Sequence, residues 1–222
     1  MEHKIITRTL HTVNELRVRE AGEGEAPSRV ITGYAILFDT PSAPLWEDDR
    51  EVVREVIAPE AVTRELLDAS DIKMTMFHDR QLILARSKNG AGTLSYDIDE
   101  RGVSFEFEAP HTADGDKALE LVKRGDIAGC SFAFTTYYFD EGHVSRDVTE
   151  EDGKTATTYT VRAITGIYDF TLAADPAYPD TNCELREALK PAPAEDPAPI
   201  KEENKMREQV DQMRRAAALK ID

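Results

Sequence analysis

Residues 103–108 alternate without a fault: Val103, Phe105 and Phe107 are apolar, and Ser104, Glu106 and Glu108 are polar. A period of two sends successive side chains to opposite faces, so this run reads as a strand with one face on a core and the other in water. Residues 94–98 precede it across Asp99-Glu100-Arg101-Gly102, which predicts a β-hairpin. Strand-like runs recur at 31–38, 52–57, 72–76, 129–139, 159–164 and 167–173. Ile72, Met74 and Met76 alternate with Lys73 and Thr75, and that strand ends near His78. Two short helices interrupt the series. One starts at Pro59, whose missing N–H costs nothing in a first helical turn, and runs to about Ala69. The other has a polar start at Thr112, an apolar stripe through Ala118, Leu121 and Val122, basic Lys123 and Arg124 in its last turn, and Gly125 as its stop. Asp140-Glu141-Gly142 breaks the chain, and the polar run to Gly153 reads as a long turn. Seven or eight short strands with two short helices predict a mainly β fold, a compact antiparallel β-barrel with peripheral helices, because closure removes exposed edges.

The 222 residues divide by composition. Residues 1–29 end in Ala21-Gly22-Glu23-Gly24-Glu25-Ala26-Pro27-Ser28 and predict a loose arm or edge segment; residues 30–184 carry nearly all the aromatic and β-branched content and predict the folded domain. Residues 185–200 form a Pro/Ala linker, and residues 201–222, with Met206, Val210 and Met213 at helical spacing, predict an amphipathic or disordered tail. A net charge of −16 repels phosphate backbones, which argues against a nucleic-acid partner. Two cysteines, Cys130 and Cys183, exclude a four-cysteine zinc site and argue against a disulfide framework. No apolar run approaches the roughly 20 residues that span a bilayer, and the polar start is unlike a signal-peptide core, so no membrane partner is expected. There is no His-x-x-x-His, no calcium loop and no phosphate-binding glycine pattern, and neither a metal nor an organic cofactor is expected.

Hydrolysis of an amide needs a nucleophile, a base within hydrogen-bond reach and a group that orients the base. Of the five histidines, His3 and His11 lie in the polar arm, and His111 and His143 in loops that read as surface. His78 ends a half-buried strand and is either a backbone-bonded strand-end residue or a base. On the strand at 129–139, period two puts Cys130, Phe132 and Phe134 on one face and Ser131, Ala133 and Thr135 on the other. Ser131 either lines a cleft as a nucleophile or packs in the core with its hydroxyl on a carbonyl. Cys130 is the rival nucleophile, but it points with the phenylalanines and reads as a buried, inert thiol. Asp169, inside Ile167-Tyr168-Asp169-Phe170-Thr171-Leu172, is either an outward strand residue or a buried carboxylate that orients a histidine. Asp79 is a weaker candidate for that role, and Asp175 and Asp180 sit among turn residues.

The order and context of these residues resemble the HK97-type prohead maturation proteases of tailed bacteriophages. Ile31-Thr32-Gly33-Tyr34-Ala35-Ile36-Leu37-Phe38 resembles the family's opening strand, and Val56-Ile57-Ala58-Pro59-Glu60-Ala61 its passage from strand to helix. Phe77-His78-Asp79-Arg80 resembles the motif that carries the catalytic histidine. The run from Ala118 to Phe134 resembles the helix-then-strand block that presents the catalytic serine, and Tyr168-Asp169-Phe170-Thr171-Leu172 with Pro176-Ala177-Tyr178-Pro179 resembles the closing strand and its turn. The chain departs from the pattern in three places. Asp169 stands where a glutamate is common and reaches roughly 1.5 Å less; Ala85 precedes Arg86 where a glycine is frequent; and residues 140–158 look like an insertion.

The resemblance implies a fold similar to herpesvirus assembly proteases and a serine endopeptidase with His78, Ser131 and Asp169 as catalytic residues. Its expected substrates are the scaffolding segment of the major capsid protein and the protease itself. The expected setting is the host cytoplasm inside an assembling procapsid, with the procapsid shell or portal as neighbours and a homodimer or higher oligomer as the expected state. Backbone N–H groups from Arg124 to Gly129, or around Ser131, are the expected oxyanion donors, and the tail after Leu185 would be a packaging or self-cleavage segment. Two competing readings are a non-catalytic assembly protein on the same barrel and a β-rich binding module. The proteolytic reading requires Ser131 and His78 to meet at one accessible spot.

Overall fold

In a computed structural model, the described residues are 6–10, 16–22 and 26–173. The expected linker at 185–200, the tail at 201–222 and the Pro176-to-Pro179 turn lie outside them, as do His3, His11, Asp175, Asp180 and Cys183. In chain order the strands are β1 (Ile6–Leu10), β2 (Arg17–Val18), β3 (Val30–Leu37), β4 (Trp46–Glu47), β5 (Glu51–Ile57), β6 (Asp71–Met76), β7 (Asp79–Lys88), β8 (Ala91–Gly92), β9 (Leu94–Ile98), β10 (Gly102–Glu108), β11 (Gly129–Thr135), β12 (Val144–Glu151), β13 (Lys154–Val161) and β14 (Gly166–Ala173). Helix α1 (Arg64–Ala69) lies between β5 and β6, and α2 (Ala113–Arg124) between β10 and β11.

The strands form three sheets, in the orders β1-β11-β14-β6-β7-β8, β2-β3-β10-β9 and β12-β13-β5-β4. The expected compact antiparallel β-barrel is therefore not what forms. The sheets do not close on themselves, and two pairings, β14 with β6 and β13 with β5, are parallel. Edges are blunted by other means than closure. β2, β4 and β8 are two residues long, and β12 exposes Arg146, Asp147, Glu150 and Glu151. The polar run to Gly153, expected to be a long turn, holds β12 and ends in the Asp152-Gly153 reversal that leads into β13.

The clean alternation at 103–108 does what period two requires. Val103, Phe105 and Phe107 are buried, and Phe105 meets Phe170 of β14 at 6.5 Å between ring centroids, which joins the second sheet to the first. Phe132 and Phe134 stack at 5.1 Å on the same inner face, beside Met74 and Met76 of β6. Helix α2 is capped at both ends. The Thr112 hydroxyl accepts from the Gly115 N–H at 3.2 Å, and Gly125 takes the left-handed conformation (φ 77°) that closes the last turn. Ala118, Leu119 and Val122 bury its apolar stripe.

Candidate active site

The first sheet has two faces of opposite chemistry, and β11 splits them residue by residue. Cys130, Phe132 and Phe134 go to the apolar side, while Ser131 goes to the other. Residues directly opposite across a ladder share a face. Ser131 stands opposite Thr171 of β14, and Thr171 opposite Thr75 of β6, so three hydroxyls form one row. The next row holds Ala133, Asp169 and Lys73.

His78 reaches this face from a turn, not from the strand end that its sequence context predicts. Met76 pairs with Asp79, leaving Phe77-His78 as a two-residue reversal with φ of 56° at both positions. Positive φ at both central residues matches the twist of a hairpin but strains side chains with a Cβ. Three contacts hold the turn, the first being the Phe77 N–H donating to the Leu172 carbonyl at 3.1 Å. The His78 N–H donates to the Thr171 hydroxyl at 2.9 Å, and the Thr75 hydroxyl donates to that same oxygen at 2.8 Å. The ring then bridges two strands, with Nε2 2.7 Å from Ser131 Oγ and Nδ1 2.8 Å from Asp169 Oδ1. A carboxylate acts only as an acceptor, so the network assigns the ring proton to Nδ1, donating to Asp169. Nε2 is then free to accept from the serine hydroxyl.

Asp169 is a buried carboxylate, 5% exposed, and His78 supplies the partner that such burial demands. One C–C bond less than a glutamate still brings it into hydrogen-bond range. Ser131 is 0% exposed, so the accessible spot expected from the sequence is closed in this conformation. It is not sealed among the phenylalanines, however, but against His78. The histidine side chain, 26% exposed, is the part of the site that meets solvent.

The other candidates lie apart. Burial pushes the Cys130 thiol up to about 12, so it stays protonated, and its Sγ lies 3.5 Å from its neighbour's carbonyl oxygen, Ser131 O. Asp79 is exposed and its carboxylate accepts from the Gln81 N–H. His111 is exposed, and His143 pairs with Asp140 at 3.0 Å. In the segment expected to donate to an oxyanion, the Gly125 and Ile127 N–H groups already bond the helix carbonyls of Val122 and Leu121, which removes both. Among the described residues no three His, Cys, Asp or Glu side chains converge as metal ligands. A concavity of about 680 Å³ lies on the second sheet, lined by Arg17, Arg19, Tyr34, Asp97, Arg101 and Glu106 among others, and shares no residue with this cluster. Thr171 and Thr75 are the site residues that sequence reasoning missed. Their signal was positional, since Thr171 is two residues beyond Asp169 on one strand and so shares its face.

A hydrogen-bonded chain from a hydroxyl through an imidazole to a buried carboxylate is the arrangement that activates an oxygen nucleophile. The family described as Caudovirus prohead serine protease matches residues 14–193. Among solved structures, the bacteriophage T4 capsid assembly protease, gp21, is similar at 10% identity and a TM-score of 0.39, over 76% of this chain and 99% of that chain. A search of curated proteins found no match.

Proposed function

Because the chain belongs to the Caudovirus prohead serine protease family, which acts in phage capsid assembly, we propose that Ser131 is its nucleophile, His78 its base and Asp169 the carboxylate that orients the base. The observation that carries this reading is the unbroken pair of hydrogen bonds, at 2.7 and 2.8 Å, that links the three side chains.

The chemistry is acyl transfer. Nε2 takes the Ser131 proton as Oγ attacks the scissile carbonyl, and the Asp169 carboxylate stabilises the imidazolium that results. The imidazolium returns its proton to the leaving amine, and water, deprotonated by the same nitrogen, releases the acyl group. The substrate in this reading is the scaffolding segment of the major capsid protein, together with the protease itself. Confinement with that substrate in a procapsid raises the effective concentration, so weak intrinsic affinity for each peptide suffices.

Co-expression with the capsid protein tests the reading. Ser131→Ala abolishes removal of the scaffolding segment while the variant keeps its fold by circular dichroism. Continued processing by a folded Ser131→Ala variant would overturn it and favour a non-catalytic assembly role. Cysteine catalysis predicts alkylation of Cys130. Cys130 is buried and its thiol is held protonated, so peptide mapping after iodoacetamide treatment of the folded protein finds it unmodified.

A further inference from the structure

Ser131 is sealed, and the edge of its strand is already taken. β1 lies antiparallel along β11 from Ile6 opposite Phe134 to Leu10 opposite Cys130, with Thr9 opposite Ser131. The other side of β11 is held by β14, which carries Asp169 and Thr171. A peptide reaches a nucleophile in mid-strand most simply by adding to that strand's edge, where main-chain hydrogen bonds give affinity without regard to side chains. Vacating the β14 side would dismantle the site. Vacating the β1 side would not, because among the described residues β1 is the terminal strand of its sheet and pairs with β11 alone. β1 also precedes the residues matched by the family, 14–193.

We propose that Ile6–Leu10 occupies the strand position of an extended peptide substrate, so that the conformation described is a latent one and substrate enters by displacing β1. This rests on reading Ser131 as the nucleophile. The exchange swaps one set of backbone hydrogen bonds for a like set, so it is decided by concentration more than by contact energy. A tethered strand competes at an effective concentration of order millimolar. A dilute peptide loses to it; a capsid-protein segment packed in a procapsid does not. The latent form thus opens where its substrate is crowded.

The test keeps the full chain. Successive N–H groups of a strand point to opposite sides, so Arg8→Pro combined with Thr9→Pro removes at least one donor to β11 and frees the edge. Labelling of Ser131 by a fluorophosphonate then speeds at least tenfold over the unaltered chain. A synthetic peptide of residues 4–12 binds the double-proline variant, with Ser131→Ala added, and does not bind the chain with β1 intact. In the opposite direction, Leu10→Cys places a second thiol opposite Cys130. Labelling slows at least tenfold when the two are joined as a disulfide and recovers with dithiothreitol. Equal labelling of the oxidised and reduced Leu10→Cys chain, or no peptide binding to a folded double-proline variant, overturns the proposal. Peptide binding with no labelling of Ser131 in any form supports strand exchange and instead overturns the role of the serine.

Discussion

Asn89-Gly90, Asp152-Gly153 and Phe77-His78 are two-residue reversals with positive φ at both positions. The first two use the residue types that such turns favour, Asn or Asp followed by Gly. They join β7 to β8 and β12 to β13 and bring no side chain to the candidate site. The third has the same backbone signs with an aromatic ring and an imidazole in place, a choice that costs of order 1–2 kcal/mol per residue. The cost is offset locally by the Thr171 hydroxyl, which accepts from the His78 N–H and is itself held by the Thr75 hydroxyl. A turn that serves only to reverse the chain follows backbone preference; the turn that delivers the imidazole, the proposed base, overrides it.

That contrast is open to attack in four places. The largest effect is expected at His78→Asn, which suits a left-handed position better than histidine but has no base; kcat/KM falls by about 10⁴-fold in a peptide-cleavage assay. Thr171→Val comes second. It strands a partly buried N–H at a cost of about 1–3 kcal/mol, read as a drop of tenfold or more in kcat with little change in KM; Thr171→Ser restores the rate. Recovery by serine separates a clamp from simple packing. Third, Gly153→Ala meets no atom within 4 Å, so only its φ of 79° is penalised: stability falls by about 1 kcal/mol in denaturant titration and cleavage is unchanged. Smallest is Phe77→Asn, which exchanges a half-exposed ring for a residue at ease with positive φ. Stability rises by several tenths of a kcal/mol, and a fall instead would mean that the ring packs more than its 47% exposure implies.

The same contrast explains what could be read from the sequence. The facing of Ser131 away from Cys130 and the phenylalanines followed from period two alone, and the three side chains singled out on β11, β14 and beside β6 are the three that meet. The turn at 77–78 was invisible because it lacks the glycine that marks its two counterparts. The Asp-Gly of 152–153 was a legible hairpin signal, but β12 before it is so charged that it read as loop. β7 was hidden by a bulge, since Met74 pairs with Ala85 and Thr75 with Ile83, leaving Leu84 as the extra residue and breaking the alternation. The open sheets were beyond reach for a different reason. Hydrophobic runs count strands but do not say which strands pair, and the parallel partners β6 and β14 are joined through most of the fold.

That parallel pairing also sets when the molecule can first act. His78 lies 53 positions before Ser131 and 91 before Asp169. On a ribosome adding roughly 5–20 residues per second, the proposed base and nucleophile are made seconds before the strand that carries Asp169 exists. In the reading proposed above, the site is therefore complete only once β14 has been made and has paired with β6.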